Sequence, residues 1–147
     1  MITKEFVTAG RAVFTLEIPA EFQNKFSTKP HYTYKVTHKE ASGQYREAWF
    51  VSLLTGPENT HDFTYMGMLD PENGKVNLTQ KSRYPSDSWP VNLFQRSLLN
   101  VWNGTQRKII DAGFKLHHEG RCGRCGRALT VPTSVESGIG PECAKRM

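Results

Sequence analysis

Three cysteines, Cys122, Cys125 and Cys143, fall within the last 26 residues of a 147-residue chain, and no other feature constrains its fold as strongly. Three thiols cannot all pair within one chain, so a disulfide framework accounts for them poorly. Two cysteines with two residues between them, Cys122-Gly123-Arg124-Cys125, can instead turn both sulfurs onto one metal ion, because a tight loop aims backbone amides at the thiolates. Gly126 follows at the point where such a knuckle calls for positive φ. A structural zinc takes four ligands in a tetrahedron. Cys143 supplies a third from Gly140-Pro141-Glu142-Cys143, where Pro141 suits the first turn of a short terminal helix and the helix N-terminus favours a thiolate.

For the fourth ligand the choice lies between neighbouring histidines. A strand from Phe114 to His118 would put Phe114, Leu116 and His118 on one face and His117 on the other. A bend at Gly120 then brings His118, rather than His117, to the metal. Glu119 or water in that position would leave an open zinc site and a candidate hydrolase. Three thiolates and a neutral imidazole leave a zinc centre one unit negative, and Arg121, Arg124 and Arg127 surround it. Together with Lys145 and Arg146 they form the candidate phosphate-binding set.

Charge points the same way. The formal net charge is +5, and from Val101 onward eight Lys/Arg stand against four Asp/Glu, so much of the excess lies in the cysteine-bearing end. A value of +5 also falls within the range of about 2 to 8 that keeps a small domain soluble. No stretch approaches the roughly 20 apolar residues of a membrane-spanning helix, and Met1-Ile2-Thr3-Lys4-Glu5 lacks the layout of a signal peptide. A soluble, intracellular protein is expected.

The first eighty residues read as strands. Arg11 to Ile18 sets Phe14, Leu16 and Ile18 on one face, and His31 to His38 does the same with Tyr32, Tyr34 and Val36. Trp49 to Leu54 is a nearly continuous apolar run, Asp62 to Leu69 puts Phe63, Tyr65, Gly67 and Leu69 together, and Lys75 to Lys81 is a shorter fifth run. Turn-forming links such as Asp70-Pro71-Glu72-Asn73-Gly74 imply an antiparallel meander. A helix from about Pro90 to Asn103, capped by Ser88 or Asp87 and followed by Gly104, carries the apolar stripe Val91, Phe94, Leu98, Val101 and Trp102 that would cover the sheet. The architecture expected is α+β: an antiparallel sheet of about five strands covered by one helix over residues 1–112, and a zinc-knuckle lobe over residues 113–147.

Catalytic sets are missing from the sequence. There is no histidine–glutamate metalloprotease pair, no GxxxxGK[ST] loop and no Gly-x-Ser-x-Gly elbow. Zinc deaminases begin their knuckle with Pro-Cys, whereas Arg121 precedes Cys122, and their His-x-Glu lies well upstream of it. A nonenzymatic protein is expected.

The run CGRCGRALTVPTSVESGIGPEC, from Cys122 to Cys143, resembles the signature of a zinc-binding family of unknown function seen mainly in phages, prophages and other mobile elements. Segments Ala9 to Leu16, Phe50 to Asn59 and Tyr65-Met66-Gly67 also resemble members in which such a part precedes the same tail. Similar sequences carry a histidine–glutamate pair before the cysteines, which His118-Glu119 matches, while His117 stands where they often have an aromatic residue. The resemblance implies a zinc cofactor, a cytoplasmic location in the host cell, and no established activity. Two functions from different classes follow. One is a nucleic-acid-binding accessory factor using Arg121, Arg124, Arg127, Lys145 and Arg146 on phosphate, with Tyr32 or Tyr34 stacking on bases. The other is a protein-binding inhibitor of a host defence or nucleic-acid-processing enzyme, docking its basic surface on an acidic patch.

Overall fold

A computed structural model describes residues 2–26, 28–57, 62–129 and 137–146. The chain opens with a short helix α1 (Lys4–Val7), strand β1 (Arg11–Glu17) and helix α2 (Ala20–Phe26), followed by β2 (His31–Lys39), β3 (Ala48–Leu54), β4 (Phe63–Leu69) and the two-residue β5 (Val76–Asn77). Helices α3 (Trp89–Trp102) and α4 (Gln106–Asp111) then lead to β6 (Lys115–His118), and α5 (Pro141–Lys145) ends the described chain. No helix among the described residues is long and apolar enough to cross a membrane.

β1 to β5 pair in succession as a meander, although β1 reaches β2 through α2 rather than through a short turn. One strand is added to the expected five. β6 returns to the free edge of β1, giving an antiparallel order β5-β4-β3-β2-β1-β6. The strand that leads into the cysteines is therefore part of the main sheet, which fixes the metal-binding end to β1.

Alternation sorts the strands cleanly up to one point. Ala12, Phe14 and Leu16 of β1 and Tyr32, Tyr34 and Val36 of β2 are all buried, as is Val51 of β3. In β4 the expected face Phe63, Tyr65, Gly67, Leu69 is broken. Val51 pairs with Gly67 but Ser52 pairs with Tyr65, so Met66 is an extra residue, and this bulge turns Phe63 and Tyr65 to the side opposite Gly67 and Leu69. Met66 fills the core instead, fully buried.

The main covering helix is α3, one residue displaced from expectation. Val91, Leu93, Phe94, Ser97 and Leu98 are its buried residues. Ser88 occupies the N-cap with extended backbone, but its hydroxyl donates to the Pro85 carbonyl (2.7 Å) rather than capping a helix amide. Gly104, at φ +71°, lies just beyond the C-cap Asn103. Among the described residues four further helices join α3, so the single-helix expectation is too simple. At four to seven residues each, they are too short to show a 3.6-residue pattern.

Phe14, Tyr34 and Phe94 meet at the centre, with ring centroids 4.9 to 6.2 Å apart. The Tyr34 hydroxyl donates to the Pro90 carbonyl (2.8 Å), and burial, followed by the charge of Tyr32, raises its pKa well above the ordinary tyrosine value. Tyr32 is 8% exposed and Tyr34 1%. Both lie on the helix-covered face, Tyr34 closed off in the core and Tyr32 at the wall of a cavity shared with Tyr84 and Trp89.

Candidate metal centre

The knuckle begins where β6 ends. Gly120, at φ +76°, turns the chain, and Arg121 bridges to Ala128 to close a loop around the first two cysteines. Inside it the Cys122 amide donates to the Arg127 carbonyl (2.8 Å) and the Gly126 amide to the Cys122 carbonyl (2.9 Å). Gly126 has φ +80°, the left-handed geometry that favours glycine. α5 starts at Pro141 and carries Cys143 in its first turn.

These elements bring Cys122, Cys125 and Cys143 together, with all three sulfurs within 4.8 Å of one another. They are free thiols. The Cys122 sulfur accepts amide hydrogens from Gly140 (3.2 Å) and Arg124 (3.4 Å). Burial pushes the Cys122 thiol up, but the amides of Gly140, Cys125 and Arg124 and the Cys125 thiol outweigh it and lower its pKa to about 7. Cys143 goes the other way, raised to about 11 by burial, by hydrogen bonds to the Cys125 and Cys122 thiols, and by their charge. Three sulfurs this close cannot all ionise unaided. A divalent cation supplies the missing charge, displacing the proton that Cys143 otherwise keeps. The donor set therefore fits a metal, and soft thiolates narrow the choice to ions such as zinc.

The support for the Cys122 thiolate comes from backbone amides, where arginine charge was expected. Arg124 directs its guanidinium to the Cys143 carbonyl (3.3 Å), and Arg121 directs its own to the Gly126 carbonyl (3.3 Å). Arg127 and Arg146 line a cavity of about 330 Å³ on which the three cysteines open, together with Leu129 and Glu142. Lys145 is exposed, 4.0 Å from the Glu142 carboxylate.

His118 faces inward as alternation required, paired with Phe14, while His117 pairs with Thr15 on the outer side, 3.4 Å from the Glu17 carboxylate. The inward turn does not bring His118 into the thiol group, which comprises the three cysteines. Its ring packs on Phe6 (5.5 Å between centroids), and its Nδ1 accepts the Gly120 amide (2.9 Å), the tautomer with its proton on Nε2. Residues 130–136 of the signature lie outside the described residues.

Phe6 is the contributor that spacing could not reveal. It is 1% exposed, and a Cβ on Gly123 would stand 2.5 Å from its ring and one on Gly138 2.6 Å. The two glycines let the phenyl lie flush against the cysteine segment. The Arg11 amide adds a bond to the Gly123 carbonyl (2.6 Å), and the Gly123 amide one to the Gly138 carbonyl (2.7 Å). A run of glycines beside the cysteines is the only trace of this packing in the sequence.

Residues 117–147 match a protein family of unknown function, DUF6011. No curated protein and no solved structure matches the chain.

Proposed function

We propose that the chain is a small nonenzymatic protein of a phage or mobile element, stapled by zinc at Cys122, Cys125 and Cys143, that binds nucleic acid as an accessory factor. The reading rests on Arg127 and Arg146, which line the same cavity as the thiols, with exposed Arg121 and Lys145 close by in sequence. With zinc bound the three-thiolate centre keeps one negative charge, and because backbone amides rather than guanidinium groups support the Cys122 sulfur, Arg127 and Arg146 are left to meet phosphate. Arg124, held to the Cys143 carbonyl, is the least available of the five.

Binding of this kind is dominated by counterion release, so it must weaken with salt. If three or four phosphates are neutralised, log affinity for duplex falls against log salt with a slope of about −3, and Arg127→Gln makes that slope shallower by about 1. Fluorescence anisotropy of a labelled duplex across a salt series measures both. No binding at low salt, or binding indifferent to salt, contradicts the reading.

A further inference from the structure

Among the described residues the helices cover one face of the sheet and leave the other without a hydrophobic partner. Cross-strand pairs identify the residues of that second face: Val13 lies beside Lys35, Lys35 beside Ser52 and Ser52 beside Tyr65, while Thr37 lies beside Phe50 and Leu54 beside Phe63. None of Val13, Phe50, Leu54, Phe63, Tyr65 and Met68 belongs to the core cluster or packs against it. All six are partly exposed. The bulge at Met66 is what puts Phe63 and Tyr65 there; without it they would turn to the covered side.

Charge on this face is one-sided. Arg11, Lys35, Lys39 and Lys115 occupy its paired positions, and Glu17 is the acidic residue among them, already accompanied by His117. The Lys35 ammonium stands 4.4 Å from the centre of the Phe63 ring, and the Phe50 and Tyr65 rings meet edge to face at 6.2 Å. The aromatic strip continues around the β4 edge. Tyr84 lines a depression with Phe63, Tyr65 and Arg83, and also a second one, of about 550 Å³, with Trp89, Lys29 and His31.

We infer that this open face binds single-stranded nucleic acid, with Phe50, Phe63 and Tyr65 as a stacking platform and Lys35, Arg11 and Arg83 beside it for the backbone. The inference shares with the reading above only its class of ligand, nucleic acid, and rests on a second surface, the sheet face, apart from the cysteine lobe. Flat aromatic rings on an uncovered sheet suit splayed bases, whose faces stack without regard to sequence. A duplex hides those faces. The cations match a phosphate backbone and would repel a basic partner.

The test uses the full chain with a labelled oligothymidylate of about 12 nucleotides and the matching duplex. Phe63→Leu combined with Tyr65→Leu keeps the strand apolar and removes two of the three stacking rings; Arg127→Gln combined with Arg146→Gln leaves the sheet intact. An unchanged thermal unfolding midpoint establishes that each pair still folds. The ring pair is expected to lose about 10- to 100-fold in single-strand affinity while duplex affinity changes little. Full single-strand affinity in the folded ring pair overturns the inference. If only the arginine pair weakens binding, the sheet face is excluded and the cysteine-lobe reading stands; if only the ring pair does, the reverse holds. A homodimer that the ring pair dissolves, with no single strand bound by the native chain, assigns the face to a second copy and also overturns the inference.

Discussion

Cys122→Ser is expected to yield protein that retains no stoichiometric zinc and whose C-terminal segment is cut by trypsin at Arg121, Arg124 and Arg127 while the sheet survives. Cys122 is the sulfur that two amides address at 3.2 and 3.4 Å, and it is 1% exposed, so the knuckle is organised around it. Structural zinc contributes roughly 10 to 16 kcal/mol of apparent binding free energy in small zinc modules, which is more than a short segment can recover from its own packing. Apart from the Phe6 packing and the backbone bonds at Gly123, the described segments around the site have little to hold them, since α5 is five residues long and Cys122, Ile139 and Cys143 are the buried apolar residues beyond β6. β1 to β4 and α3 keep their own core of Phe14, Tyr34, Val36 and Phe94. Zinc analysis together with limited proteolysis checks the prediction; one zinc per chain and an uncut tail in the variant would refute it.

Phe6→Ala is the second large effect. Removing a fully buried phenyl costs about 3 to 5 kcal/mol from transfer and cavity terms together. Phe6 also touches Phe14 and His118 on the sheet side and the two glycines on the cysteine side, so its loss loosens the metal centre as well as the core. A urea midpoint lowered with unchanged slope is expected, along with earlier release of zinc to a competing chelator. Gly123→Ala alone should cost about 1 to 3 kcal/mol by overpacking. In the Phe6→Ala background the ring contacts are gone and the residue 6 carbonyl at 3.0 Å is the close contact that stays, so the double variant should be more stable than the sum of the two single effects requires. Strict additivity would show that ring and glycine do not meet.

Much of this architecture was legible because it depends on short-range pattern. Period-two alternation located β1 and β2, and a nearly continuous apolar run located β3, each to within a residue or two, while Pro90 and Gly104 bracketed α3. The bulge escaped because Met66 is as apolar as the core position it fills; the one mark beside it is Gly67, a strand glycine that alternation alone reads as an ordinary inward residue. That extra residue, Met66, decides the side of Phe63 and Tyr65, while regular alternation in β2 puts Tyr32 and Tyr34 on the covered face. Alternation also separates two faces without saying which the helices will cover. At the metal centre the spacing was enough for the three cysteines, and Gly126 and Pro141 stand where the knuckle and α5 need them. The setting of His118 was less legible, since its ring is held by Phe6 from the first helix and by the Gly120 amide. Neither contact leaves a mark at strand or knuckle spacing.

The proposed zinc staple is tested most directly by X-ray absorption on the purified chain. The account predicts one zinc per chain, with three sulfur scatterers at about 2.3 Å and one lighter nitrogen or oxygen ligand at about 2.0 Å. Imidazole scattering that disappears in His118→Ala would identify that lighter ligand as His118. A folded chain without metal, or a zinc bound by fewer than three sulfurs, would contradict the account.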